Sequence, residues 1–263
     1  MNVMALLLAD SRFPGGGHVH SGGLEEAAAR GLVRTEADLP AFLRNRLRTA
    51  GALAATFAAA AAHRASGSDA NWSTMDEELD ARTPSAAQRA ASRAQGKATA
   101  RATRMMVAAP LSTARWPQGL LRDAERPEWP LHGAQCPEGS LRDVQPHPVS
   151  ALLAAVPRPH HPVVLGAVVG AGGGSPADAA LAAAYLSISG PASASVRLLG
   201  LDPLRVNAIV AALGPDVTAV AEAAAATAHL EPADLPAPGS PGLDLLAEEH
   251  DRHHREEVRL FAS

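Results

Sequence analysis

Ser175-Pro176-Ala177-Asp178, running on through Ala179-Ala180-Leu181-Ala182-Ala183-Ala184-Tyr185-Leu186-Ser187-Ile188, carries the signals of a helix start. Ser175 and Asp178 have capping-box spacing, and Pro176 falls at the first helical position, where its missing N–H costs nothing. The helix that follows carries Leu181, Tyr185 and Ile188 on one side. Alanine has the best intrinsic helix propensity and is depleted in strands, so the segment reads as helix on composition too. The same signals recur downstream. Asp202 with Pro203 opens another helix, with Leu204, Ile209 and Leu213 available for the core. Pro215 begins an alanine-rich one that reaches about Leu230.

Upstream, Met1 to Ser11 is a short apolar helix stopped by Pro14 and the run Gly15-Gly16-Gly17. A second spans about Gly23 to Gly31, the latter a C-cap glycine. Asp38 is the expected N-cap of a third, whose face is Leu39, Phe42, Leu43 and Leu47, continued by Ala50, Leu53 and Phe57. Thr74 with Glu77, and Ser85 with Gln88, have capping-box spacing. From Ser85 to about Val107 a helix carries Arg89, Arg93, Lys97, Arg101 and Arg104 as a basic stripe, for which a solvent-facing position is preferred. Prolines and lost periodicity mark 115–148 as a loop or disordered insertion holding Trp116 and Trp129. Residues 235–242 read as a linker, with a charged segment at 243–263. The expectation is an all-α, single-domain bundle over 1–263, with about ten short and medium helices.

The whole composition agrees. The chain is 263 residues long, 47% hydrophobic and 19% charged, which is globular rather than disordered. A net charge of -4 excludes a generally basic, nucleic-acid-coating protein. Charge is uneven, however: no Asp or Glu lies between Ala81 and Arg122. The single cysteine, Cys136, cannot form an intramolecular disulfide, in keeping with a reducing compartment. The apolar start is short and runs into Asp10 and Arg12, unlike a signal peptide or membrane span. The expected location is the cytoplasm, with no membrane partner.

Candidate chemistry is sparse. Val163–Val169 as a buried strand before Gly170-Ala171-Gly172-Gly173-Gly174-Ser175 would resemble a dinucleotide fingerprint, and a nucleotide-binding enzyme is the alternative function. Ser175 stands where the third glycine belongs and no acid follows about 20 residues on, so a loop between helices is preferred. Gly96-Lys97 lacks the rest of a phosphate-binding loop, and no G-x-S-x-G elbow is present. Of the 11 histidines, His250 and His254 share a helix face at a spacing that can chelate a divalent metal. Imidazole suits nickel, but no further ligand completes a set. Transient nickel contact is therefore the alternative to ordinary surface histidines, and no tightly bound cofactor is expected.

Several blocks in order resemble the UreF family. Leu6-Leu7-Leu8-Ala9-Asp10-Ser11, Phe13-Pro14 and His20-Ser21-Gly22-Gly23-Leu24-Glu25, with Gly31 and Val33, are similar to its opening signature. Ala91-Ser92 with Gln95-Gly96, His161-Pro162, Tyr185-Leu186 and Ser193-Ala194-Ser195-Val196-Arg197-Leu198 resemble its middle. Arg252-His253, then Arg259-Leu260-Phe261 and Ser263, resemble its ending. The resemblance implies a non-enzymatic, all-α homodimer. Such a protein would bridge UreD (also called UreH) to the GTPase UreG, regulate that GTPase, and serve nickel insertion into apo-urease. It implies partner contacts at Arg252, His253, Arg259, Leu260, Phe261 and Ser263, and at His20, Ser21 and Glu25 near the start. It also implies that the segment from Leu243 orders against UreD. The chain departs from the family pattern at Glu257, His254, Leu201-Asp202-Pro203 and the insertion, departures that bear on partner affinity rather than fold.

Overall fold

The computed structural model describes residues 2–16, 20–65, 67, 71–108 and 147–261, and among these every regular element is helical. In chain order they are α1 (Val3–Ala9), α2 (Leu24–Ala29), α3 (Leu39–Arg46), a π-helical turn (Leu47–Gly51), α4 (Ala52–Ala65), α5 (Trp72–Ala81) and α6 (Ala86–Ala108). Then come α7 (Pro148–Ala155), α8 (His161–Ala171), α9 (Pro176–Leu199), α10 (Pro203–Ala212), α11 (Gly214–Ala226), a 3-10 turn (Pro232–Asp234) and α12 (Pro241–Phe261). The expected insertion lies outside the described residues from 115 to 146, and α7 begins at its final residue, Pro148.

The centre is the stack of α4, α8 and α9. Ala58 to Ala62 on α4 and Val163 to Val169 on α8 are buried without interruption, so neither helix has a polar face to spare. Small residues let the backbones of α4 and α8 touch. A Cβ placed on Gly166 would stand 2.7 Å from Ala61 Cβ and 2.9 Å from the Ala58 carbonyl carbon. At Gly170 it would stand 2.5 Å from Ala62 O. Interiors packed to crystal density leave no room for such an atom. By composition α9 is apolar and long enough to cross a bilayer, yet it is the core helix against which α1, α2, α3, α4, α8, α10 and α11 pack.

Several starts and faces differ from their sequence reading. Ser175 and Asp178 form the full capping box, and Asp178 also accepts from Asn2 N at 3.0 Å, which ties α1 to the start of α9. Asp38 precedes α3 but caps nothing within it. Its carboxylate accepts instead from the Arg34 and Thr35 N–H groups and the Thr35 hydroxyl, so it works as the fourth residue of the Thr35–Asp38 turn before α3. α5 starts earlier than Thr74, with Asn71 as the N-cap accepting from Thr74 N. Tyr185 is 41% exposed, because the buried face of α9 runs through Ala180, Ala184 and Ile188 instead. On α10 the buried face is Val206, Ile209 and Leu213, which leaves Leu204 outside at 77% exposure.

Pro191 sits inside α9 and has no N–H to give the carbonyl of Ser187, one turn back. Arg46 fills that vacancy from α3. Its Nε donates to Ser187 O at 2.8 Å, and its Nη1 donates to Gly22 O at 2.7 Å. One side chain thereby joins the loop before α2, the end of α3 and the middle of α9.

Candidate functional site

The loop before α2 is built on two left-handed glycines, Gly22 (φ +62°) and Gly23 (φ +89°). That backbone folds Ser21 over the first turn, where its carbonyl accepts from Leu24 N and its hydroxyl from Glu25 N. Leu24 drops into the core and Glu26 is buried beside it, while Glu25 stays accessible. A Cβ at Gly23 would only reach ordinary contact with Leu243 and Leu246 of α12, so it is the left-handed backbone, not the approach of α12, that calls for glycine there.

The charged segment expected to order only on a partner is a helix, and its first half docks on the chain's own body. Ser85 caps α6 by accepting from Gln88 N, but Gln88 does not return the bond as a capping box requires. Its amide donates instead to Asp244 of α12 at 2.9 Å. Asp244 takes the Ser85 N–H, and Glu248 accepts from the Ser85 hydroxyl (2.6 Å) and from Ala87 N (3.0 Å). Two carboxylates of α12 thus satisfy the orphan donors at the positive end of α6. Burial raises the pKa of Asp244, and neighbouring Glu248 adds to the shift.

Further along α12 the ties are ionic. Arg30 lies between Glu26 (2.8 Å) and Glu249 (3.1 Å), while His253 Nδ1 faces Glu26 at 3.3 Å. His250 lies 3.8 Å from Glu25, and Arg252 pairs with Glu249. Each exposed pair is worth well under about 1 kcal/mol. The buried Glu26, held low by Arg30 against the opposing effect of burial, is the anchor of the set. Glu26, Glu249 and His253 stand close enough to share a cation, but the guanidinium of Arg30 already occupies both carboxylates.

The structure therefore brings together residues that the sequence placed at opposite ends. His20, Ser21 and Glu25 from the start, and His250 from α12, line one cavity of about 620 Å³ that also holds Arg46, Ser92 and His161. Arg252 and His253 are on the docked part of α12. His254, Arg259, Leu260 and Phe261 continue the helical backbone of α12, and Ser263 lies outside the described residues. Val163–Val169 is the middle of helix α8, so the strand needed by a dinucleotide fingerprint is absent at that point. The glycines after it form the turn into α9, with Gly173 at φ +74°.

Behind the cavity wall is a polar network that the sequence did not reveal. His160, fully buried, lies with Nδ1 2.9 Å from Ser92 Oγ and Nε2 2.8 Å from Asp80. Its backbone N–H donates to Asp76 at 2.7 Å. Arg93 then bridges Asp76 (2.8 Å) and Asp80 (2.6 Å) and donates to Arg158 O. The basic stripe of α6 is consequently split: Arg93 faces acids of α5, while Lys97, Arg101 and Arg104 are exposed. Ser92, His160 and Asp80 match a hydrolase triad in residue type. Here, however, they knit α5, α6 and the start of α8 together, with only His160 fully buried and Asp80 in a salt bridge with Arg93. Gly96 makes that approach possible, since a Cβ there would lie 2.9 Å from His161 N and closer still to Pro159 O.

Burial lowers the pKa of His161 from 6.5 to about 4, with His20 adding to the shift. Between these values the unfolded chain binds a proton that the folded chain refuses, so stability must fall as pH drops through the window. Allowing for solvent in the cavity, the loss is on the order of 2 kcal/mol. Urea unfolding at pH 7 and pH 5 should show this loss in the wild type and a smaller one in His161→Gln. Equal pH dependence in the two would refute the assignment.

Fold and site together define an all-α protein whose α12 docks on the loop before α2 and the start of α6. Comparison with known proteins gives the class a family. The UreF family model matches residues 33–214. A urease accessory protein UreF of Mycolicibacterium vanbaalenii is 41% identical over 258 residues, covering 98% of this chain and 97% of its own length. Proteins of the same name from Mycobacterium bovis and Mycobacterium tuberculosis are 38% identical over 253 residues, covering 96% of both chains in each comparison. The chain belongs to the UreF family of urease accessory proteins.

Proposed function

We propose that this chain is an adaptor in urease maturation. It holds UreD (UreH) and the GTPase UreG in one complex, regulates that GTPase, and supports nickel insertion into apo-urease. The observation that carries this reading is identity of 38–41% to urease accessory proteins over 96–98% of the chain. The working form is a cytoplasmic homodimer without a tightly bound cofactor, and nickel is cargo that His250 and His254 contact only in passing. Partner contacts are assigned to Arg252, His253, Arg259, Leu260, Phe261 and Ser263, and to His20, Ser21 and Glu25. A partner that takes His253 has to compete with Glu26 for it.

Co-purification of the full chain with UreD and UreG tests the proposal. Capture of UreD is expected, followed by recruitment of UreG. Failure to form any complex, in either order of mixing, would sink it. Within the complex, Leu260→Asp combined with Phe261→Asp should weaken UreD capture by more than about 10-fold, because apolar anchors dominate such interfaces. Unchanged affinity, measured by titration calorimetry, would move the contact elsewhere.

A further inference from the structure

We infer that the outward face of α6 at Lys97, Arg101 and Arg104 docks an acidic segment of a partner protein. The three cations recur four and three residues apart, so they lie on one face of the helix, over about 10 Å of its length. All three are exposed, and among the described residues none of them enters an ion pair or a side-chain hydrogen bond. Ala90 and Ala94 continue the same face toward the start of α6, exposed and too small to hold a neighbour off. Arg158 adds a fourth exposed charge close by, on the loop whose carbonyl accepts from Arg93.

The fold offers these cations no counter-charge. Neither Asp nor Glu occurs in 81–108 or in 147–175, so α6, α7, α8 and the loop between α7 and α8 form a layer without an acid. Acids of the neighbouring elements are engaged elsewhere. Asp76 and Asp80 of α5 hold Arg93, Asp10 holds Arg12, and Asp244 and Glu248 of α12 sit at the opposite end of α6. The dipole of α6 favours cations near its last turn, which accounts for Arg104 but not for Lys97, about three turns from the end. A basic face of this kind, in a chain of net charge -4, steers an acidic partner and repels a basic one. Phosphate polymers fit it less well. No aromatic residue occurs in 81–108 or 147–175 on which a base could stack, and so few charges neutralise few phosphates. A membrane surface would call for large apolar residues beside the cations, where α6 presents Ala90 and Ala94.

The test uses the full chain and a labelled poly-L-glutamate peptide, with oligothymidylate of the same length and phosphatidylserine vesicles as the other sources of negative charge. Binding of the glutamate peptide at low salt is expected, weakening as salt rises. Lys97→Gln, Arg101→Gln and Arg104→Gln combined should weaken it by more than about 10-fold, whereas Arg205→Gln, which removes an exposed cation of α10, should leave it unchanged. All four side chains are exposed, so both variants should fold as the wild type does. No binding by the wild type, or a loss in the triple variant no greater than in Arg205→Gln, overturns the proposal. So does tighter capture of the oligonucleotide or of the vesicles, lost in the same triple variant, which would assign the face to phosphate. Neither UreD nor UreG enters the readout, so this result and the adaptor reading stand or fall separately.

Discussion

Gly166→Ala should unfold this protein more readily by about 3 kcal/mol, the opposite of what its helix position alone would give. Replacing glycine by alanine inside an exposed helix gains roughly 1 kcal/mol. At Gly166 that gain is overrun, because the added methyl would press on the Ala58 peptide group and stand 2.7 Å from Ala61 Cβ. The obstacle is backbone, which cannot swing aside as a long side chain can. The α4–α8 crossing must open, and overpacking of a dense core typically costs 1–3 kcal/mol or somewhat more. Gly214→Ala is the control: nothing lies within 4 Å of its added carbon, and stability should stay within about 0.5 kcal/mol of wild type. Urea unfolding midpoints of the two variants check the pair. A Gly166→Ala protein as stable as its parent would mean that the crossing is looser than described.

That example marks what a sequence can show. Helix starts were legible because a cap is local: Ser175 and Asp178 are three residues apart, and their bond is part of the same turn that they announce. The all-α class followed from alanine content and spacing. Face assignments were less legible, since Tyr185 and Leu204 look like core residues until the neighbouring helices are in place. Residues whose role depends on distant partners were not legible at all. Ser85 and Gln88 have capping-box spacing, but the acids that complete the cap come from Asp244 and Glu248 on α12. Arg46 and Pro191 are unremarkable alone, and only the packing of α3 on α9 makes one the answer to the other. Glu26 with Arg30 could have been found, as an i,i+4 pair of opposite charge at the start of a helix. Its burial, and its meeting with His253, could not.

Asp76→Ala is expected to have the second large effect, about 3 kcal/mol of lost stability, and its cause is electrostatic rather than steric. Asp76 is 3% exposed and receives the His160 N–H at 2.7 Å and Arg93 at 2.8 Å. Truncation leaves a buried amide without an acceptor and strips Arg93 of one of its two carboxylates. Breaking one side of a buried ion pair costs about 3–5 kcal/mol, and the partial exposure of Arg93 places this case at the lower end. Asp76→Asn keeps an acceptor for His160 while removing the charge, so its cost should be nearer 1–2 kcal/mol. Arg93→Met combined with Asp76→Ala separates the two parts. If the charge pair matters, the double variant should be more stable than the sum of the single losses predicts, by about 1–3 kcal/mol. Strict additivity would leave the whole effect to the His160 amide. The consequence reaches the cavity, because His160 holds Ser92 on one side and is followed by His161 on the other. A network that fixes the backbone at 159–161 therefore also fixes the wall that faces Arg46.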